Sequence, residues 1–308
     1  MIGIPVFIAC DDNYAKYAAV VVSSIVNNTK SKVSFFVLSR GLSRENALYL
    51  SESAKGNPLE ILKVDAKIFE SFDVKMHWKY ITIETCFRYL IADLRPDIDK
   101  AIYLDCDVIA LDDIAKLYSI DLGDALAGVV KEKSGSDYFC AGVMLFNCKR
   151  IREENLVNEF MKKSAELNGK LKFFDQDVLN IVLKNRVKFI DPRWQITPFS
   201  FGKNSGLSRT CQYQALSNPG IVHLSGNDKP WQTPRGIAAN PFSPFFFYYL
   251  ADTPYKSERS KILSKFNPVS SALKLFYRNP AILFKRQFWL RRAFYKKSVA
   301  ALKSKQGV

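Results

Sequence analysis

Apolar residues in this chain fall into short unbroken runs, with polar turn formers collected at their ends. Val6-Phe7-Ile8-Ala9-Cys10 is the first run, and it stops at Asp11-Asp12-Asn13. Such a run reads as a strand buried on both faces. Residues 15–28, rich in small and β-branched side chains, read as a crossover helix. Val33-Ser34-Phe35-Phe36-Val37-Leu38 is a second strand. Ser43 caps a helix over 44–54 with Glu45 near its first turn, and Leu59 to Val64 is a third strand. This β-α-β-α-β opening implies a parallel, doubly wound sheet.

The pattern then loosens. Residues 66–80 read as a loop with aromatic content (Phe69, Phe72, His77, Trp78, Tyr80), and a helix over 82–93 carries Arg88 among apolar neighbours. Strands follow at Ala101-Ile102-Tyr103-Leu104, at Ala125-Leu126-Ala127-Gly128-Val129-Val130 and at 139–147. Residues 149–166 and 175–184 read as helices, the second opening with Asp175-Gln176-Asp177. Ile221-Val222-His223-Leu224 is a last short strand, running into Ser225-Gly226-Asn227-Asp228-Lys229-Pro230-Trp231. No internal repeat or low-complexity stretch interrupts the order.

The run at 101–104 ends in Asp105-Cys106-Asp107, which introduces chemistry. Two carboxylates at i and i+2 past a strand end converge on one hard cation if the backbone turns there. Mg²⁺ and Mn²⁺ take such oxygens, commonly together with phosphate oxygens. Alone, an Asp-x-Asp tripeptide is most often a solvated turn. Here the preceding strand puts it at the carboxyl edge of a parallel sheet, where open α/β folds bind ligands.

Composition changes the picture at one end only. The 308 residues hold one large α/β domain and an appendage, and 48% hydrophobic and 13% aromatic content supply a sizeable core. Of the net charge of +15, residues 256–308 carry 14 Lys and Arg against one acid, Glu258, which leaves 31 basic and 29 acidic residues in 1–255. A near-neutral body argues against a nucleic-acid-binding core, and the basic end points to an anionic surface. Cys10, Cys86, Cys106, Cys140, Cys148 and Cys211 form no CxxC pair and read as reduced thiols of a cytosolic protein. The start, Met1-Ile2-Gly3-Ile4-Pro5, has no basic n-region, and no signal peptide is expected. No run of 18 uncharged apolar residues occurs.

The appendage begins near Asp252. Within 281–305, Leu283, Phe284, Phe288, Leu290, Phe294, Tyr295, Val299 and Leu302 fall on one side of a helix. Lys285, Arg286, Arg292, Lys296, Lys297 and Lys303 fall on the other; Arg291 and Lys305 break the apolar side and Trp289 the basic one. That pattern suits a helix lying in a membrane interface. The competing expectation is that 256–308 folds back onto the body and leaves its charges in water.

Several stretches together resemble one family. They are Ala9-Cys10-Asp11-Asp12-Asn13-Tyr14, Arg88, Tyr103-Leu104-Asp105-Cys106-Asp107-Val108, Ala141-Gly142-Val143-Met144-Leu145-Phe146-Asn147, Phe174-Asp175-Gln176-Asp177-Val178-Leu179-Asn180, and the HxxGxxKPW stretch at 223–231. In this order, over about 4–235, the chain resembles glycosyltransferase family 8, most closely the bacterial lipopolysaccharide and lipooligosaccharide galactosyl- and glucosyltransferases. The resemblance implies an α/β GT-A fold, Rossmann-like with a mostly parallel sheet. It implies a UDP-sugar donor, Mn²⁺ (or Mg²⁺) and transfer with retention of anomeric configuration. The division expected is a GT-A catalytic domain over 1–252 and a basic amphipathic membrane-association tail over 253–308.

The resemblance also assigns roles. Asp105, Asp107 and His223 hold the metal, and imidazole suits Mn²⁺ better than Mg²⁺. Gly226 permits close backbone approach, and Lys229 is a point charge for phosphate. Ala9, Asp11 and Asn13 contact uridine, although an ordinary strand-end turn also uses such residues. Cys106 and Ala141 border the donor, and Arg88 reaches the sugar or its phosphate; a surface helix ion pair is the plainer role for that arginine. Asp175 bonds sugar hydroxyls and Gln176 faces the anomeric carbon, both on a helix N-terminus that either could merely cap. The family usually has Asn before Ala-Gly-Val to bond the donor sugar; this chain has Cys140, a weak donor and acceptor.

The sequence thus reads as a retaining, metal-dependent hexosyltransferase. It uses UDP-galactose or UDP-glucose and a lipid-linked glycan acceptor, is cytoplasmic and peripheral on the inner face of the cell membrane, and has no nucleic-acid partner. Alternatives are a protein- or polyol-modifying member of the family and a catalytically silent nucleotide-sugar-binding protein.

Overall fold

The computed structural model describes residues 3–70, 72, 82–132, 135–201, 208–227, 229–233, 240–265 and 286–305. His77, Trp78, Tyr80, Asp228, Leu283, Phe284 and Lys285 lie outside the described residues.

The apolar runs pair into a seven-stranded sheet. Its strands are β1 (Ile4–Ala9), β2 (Val33–Ser39), β3 (Leu59–Lys63), β4 (Lys100–Leu104), β6 (Ala127–Lys131), β7 (Phe139–Asn147) and β8 (Val187–Phe189), in the order β3-β2-β1-β4-β7-β6-β8. The β1–β2 and β2–β3 pairs are parallel, as the opening predicts, and β1–β4 and β6–β8 are parallel as well. β7 runs antiparallel to both β4 and β6, so the sheet is mostly parallel rather than uniformly so. A separate two-stranded ribbon pairs β5 (Val108–Ala110) with β9 (Ile221–His223).

Every residue of β1 and β2 is buried, because helices cover both faces of the sheet. Alternation divides the core: Val6 and Ile8 belong to one apolar cluster, Phe7 and Ala9 to the other. The helix Ala15–Asn28 packs its small and β-branched residues into the first cluster.

Three local expectations change. Residues 82–93 do not form one α-helix; Ile83–Leu90 is a 3₁₀ helix passing into the short α-helix Ile91–Leu94. Three residues per turn stacks Thr82, Thr85 and Arg88 in one line, and all three face the same cleft. Residues 149–166 split into Cys148–Glu153 and Leu156–Glu166 at Asn155, whose φ of 52° is left-handed. Strands β5 and β8 were not expected, since three residues are too few for a periodic signal.

The C-terminal segment touches the body wherever it is described. Tyr255 donates its hydroxyl to Asn46 Oδ1 at 2.6 Å, and Lys16 pairs with Glu258 at 3.0 Å. In the helix Arg286–Lys305, Phe294 and Leu302 are buried rather than turned to lipid. The Phe294 ring meets Phe201 at 5.4 Å, Phe242 at 5.6 Å and Phe245 at 6.3 Å. Tyr295, expected beside them, faces outward with Trp289, Arg292, Lys296 and Lys303. The aromatic helix Ser243–Ala251 provides an apolar surface closer than any membrane, and Phe294 takes it. Among the described residues no helix is long and apolar enough to cross a membrane. All six cysteines are free thiols; only Cys211 is exposed.

Candidate functional site

β4 ends at Leu104, and Asp105 is still tied to the sheet, its N–H donating to Gly142 O at 2.9 Å. The chain then turns through Cys106 and re-enters as β5, with Val108 opposite His223 of β9. That register brings two distant stretches together. His223 Nε2 lies 3.0 Å from Asp107 Oδ1 and 3.9 Å from Asp105 Oδ2. One ligand atom from each of the three residues lies within 4.8 Å of the others. Lys229 Nζ sits 2.6 Å from Asp107 Oδ2.

The local backbone is shaped for this approach. A Cβ on Gly142 would lie 2.3 Å from His223 Cε1 and 2.8 Å from Asp105 Oδ2, so a strand position without a side chain lets both groups in. Gly226, in the turn between His223 and Lys229, has φ of +91°.

Beside Asp105 lies Arg88, which is only 4% exposed. Its Nη2 donates to Asp105 Oδ1 at 2.8 Å, its Nη1 to Ala141 O at 2.6 Å and its Nε to Thr85 O at 2.9 Å. Asp175 Oδ2 lies 3.0 Å from Nε, and the guanidinium rests over the Tyr103 ring at 4.4 Å. Arg88 is therefore no surface ion pair. Gln176 Oε1 accepts from Ala141 N at 3.0 Å, and its Nε2 donates to Tyr138 Oη at 3.2 Å. These bonds fix the amide across the mouth of β7.

Most of these residues line one cleft of about 220 Å³. Its lining includes Ala9, Asp11, Arg88, Asp105, Cys106, Asp107, Ala141, Asp175, Gln176, His223, Gly226 and Lys229. Two expected residues stand apart. Asn13 is exposed, bonds Asp11 Oδ2 at 3.2 Å and lines a neighbouring cleft with Asp12, Trp231 and Tyr255. Cys140 turns toward Gln195, whose Nε2 donates to its Sγ at 2.9 Å. Sequence reasoning gave no role to Tyr103, Tyr14, Glu84, Thr85, Gly142 or Gln195. A glycine inside the β7 run was a signal of close approach; Gln195 lies in no motif.

Burial and charge compete at each group. Burial alone would raise Asp107, but the Lys229 ammonium and His223 imidazolium hold its carboxyl far below the usual range. Burial pulls His223 down, and the Asp107 carboxylate overrides it, holding the imidazole up at about 10. Burial pushes Asp175 up to about 6 against the pull of Arg88. Two carboxylates and an imidazole converging within one cation's reach form a donor set that fits a borderline-hard divalent ion such as Mn²⁺.

Comparison with known proteins agrees with this geometry. Residues 5–234 match the profile described as Glycosyl transferase family 8. General stress protein A of Bacillus subtilis (strain 168) is 28% identical over 271 residues, which is 80% of this chain and 93% of that protein. The lipopolysaccharide 1,3-galactosyltransferase of Salmonella typhimurium is 27% identical over 284 residues, 85% of this chain and 80% of its own length. Among solved structures, the galactosyltransferase LgtC in complex with donor and acceptor sugar analogues is similar with a TM-score of 0.70. That match has 24% identity and covers 82% of this chain and 96% of LgtC, which shows a common α/β fold of GT-A type. With residues 5–234 of its 308 inside the family profile, the chain belongs to glycosyltransferase family 8.

Proposed function

We propose that this glycosyltransferase moves galactose or glucose, with retention of anomeric configuration, from a UDP-sugar to a lipid-linked bacterial surface glycan in lipopolysaccharide or lipooligosaccharide biosynthesis. The observation that carries the reading is the convergence of Asp105, Asp107, His223 and Lys229 in one cleft that Arg88, Asp175 and Gln176 also line. The lipopolysaccharide galactosyltransferase among its relatives supports the acceptor class.

Asp105, Asp107 and His223 would hold Mn²⁺, or Mg²⁺ less well. Such a cation stabilises the negative charge that develops on a departing diphosphate. Lys229 adds a second positive charge at the same place. Ala9 and Asp11, which line the cleft, bind the uridine end, and Asn13 steadies Asp11 through its bond to Oδ2. Arg88 keeps Asp105 and Asp175 aligned, and Asp175 accepts hydrogen bonds from sugar hydroxyls. Gln176 presents an amide whose position is already fixed, so stabilising charge at the anomeric carbon requires little reorganisation. Cys140, where the family has an amide that bonds the donor sugar, leaves the choice of hexose to other contacts.

Residues 1–252 form the catalytic unit in this reading, and 253–308 meet the anionic inner face of the membrane. The surface offered there is the outward side of the last helix, where Trp289, Arg292, Lys296 and Lys303 recur at steps of three, four and seven.

A panel of UDP-sugars with Mn²⁺, read as released UDP, tests the proposal. Turnover of UDP-galactose or UDP-glucose, abolished by EDTA and restored by Mn²⁺, is expected. No turnover of any UDP-hexose, or full activity in EDTA, would sink it.

A further inference from the structure

Gln195 meets His223 at Nδ1, the ring nitrogen other than the one that faces Asp107. The backbone around it is stitched to β9: Ile196 N donates to Ile221 O at 2.9 Å, and His223 N to Ile196 O at 2.7 Å. Gln195 is 4% exposed. Its Nε2 lies 3.1 Å from His223 Nδ1 and donates to Cys140 Sγ at 2.9 Å, while its Oε1 is buried with no hydrogen-bond partner. Gly142 closes another side of the ring, since a Cβ there would lie 2.7 Å from Nδ1. The imidazole is therefore boxed by Gly142, Gln195 and Asp107.

An imidazole that binds a cation through Nε2 must carry its proton on Nδ1, and the partner of Nδ1 decides this. The Gln195 amide is within hydrogen-bond reach of that nitrogen. A half-turn about its Cγ–Cδ bond exchanges oxygen for nitrogen with almost no change of shape. Oε1 then accepts from Nδ1–H and can also take the S–H of Cys140. A neutral amide does this without a third negative charge beside Asp105 and Asp107.

We propose that Gln195, steadied by Cys140, is a positioning residue of the metal centre: it fixes the His223 ring and keeps the proton on Nδ1, so that Nε2 faces the cation. The inference rests on the reading of Asp105, Asp107 and His223 as the metal set.

Direct titration of the full chain with Mn²⁺, followed by the paramagnetic signal of the free ion and without UDP-sugar, tests both. Gln195→Leu keeps the volume and removes the acceptor; affinity should fall about ten- to a hundredfold, the scale of losing a hydrogen bond behind a ligating histidine. Gln195→Glu keeps an acceptor and should recover most of that loss. Gln195→Asn, whose amide is one methylene too short, repeats the test should the leucine variant not fold. If His223→Ala loses Mn²⁺ while Gln195→Leu binds as the parent does, the role of Gln195 is refuted and the metal set stands. Gln195→Glu as weak as Gln195→Leu would mean that packing alone is at work and would also refute it. If His223→Ala binds like the parent, the metal set falls and Gln195 with it.

Discussion

Arg88 and Arg292 both lie on helices and both carry one positive charge, but they sit in opposite surroundings. Arg88 is 4% exposed and held by Asp105, Asp175, Thr85 and Ala141. Arg292 is exposed and rests 5.9 Å from the Trp289 ring. The same contrast separates the whole cleft from the tail. In the cleft Arg88, Asp107, Asp175, His223 and Lys229 are taken out of water, and each has a named partner that compensates it. On the outward side of the last helix Arg292, Lys296 and Lys303 stay solvated and act through their sum. Cleft charges should therefore be irreplaceable one at a time, and tail charges interchangeable.

The largest break of that contrast is Arg88→Met. It leaves Asp105 and Asp175 near one another without their shared cation, and breaking a buried pair by removing one partner costs about 3–5 kcal/mol. Chemical denaturation should register that loss. Arg292→Met should leave the denaturation midpoint where it was. Equal effects of the two would mean that burial does not govern how these charges act.

Asp107→Ala comes next. It removes a proposed metal ligand and the partner of Lys229, itself only 4% exposed. kcat with a UDP-sugar should drop by at least about a hundredfold, the scale of losing one electrostatic stabiliser. A loss of less than about tenfold would remove this carboxylate from the chemistry.

Much of this was legible beforehand, and what was not has a physical reason. Strands β1, β2 and β4 announced themselves because sheets covered on both faces require unbroken apolar runs. Asp105, Asp107 and His223 were visible as chemistry. The pairing that unites them depends on β5, which is three residues long and too short to carry a pattern. Gln195 was invisible because a buried amide in an irregular segment looks like any loop glutamine until its partners are placed. Phe294 illustrates another limit. Periodicity gives the apolar side of a helix but does not say whether protein or lipid covers it, and the Phe201, Phe242 and Phe245 rings decide that.

Gly142→Ala sharpens the comparison from the packing side. The added methyl has nowhere to go between His223 and Asp105. Forcing it into such a site costs about 1–3 kcal/mol, and the strain falls on two proposed ligands together. A lower melting temperature and weaker Mn²⁺ binding should appear together. The exposed, positive-φ Gly169 touches nothing within 4 Å of a Cβ, and Gly169→Asn should leave Mn²⁺ binding unchanged. Parental Mn²⁺ affinity in Gly142→Ala would show that the ring does not need this space.

The smallest expected effects belong to the tail, and they have to be measured without cutting it off. Deleting 256–308 would uncover the Phe201, Phe242 and Phe245 rings that Phe294 covers, so loss of binding and loss of folding would arrive together. Charge reversal on the outward face avoids this. Arg292→Glu, Lys296→Glu and Lys303→Glu change exposed side chains only. A Lys or Arg close to an anionic leaflet contributes about 1 kcal/mol, which is about a fivefold change in partition for each charge removed. The three positions should act additively and without order of importance, unlike any trio chosen in the cleft. Binding to anionic vesicles should weaken as salt rises, while neutral vesicles should retain little protein at any salt. UDP release from a UDP-sugar should be untouched, because none of the three side chains borders the cleft. Co-sedimentation of the parent and the triple variant with both vesicle types decides it. If the two pellet equally with anionic vesicles, the basic outward face is only a solvated surface and the membrane reading of the tail fails.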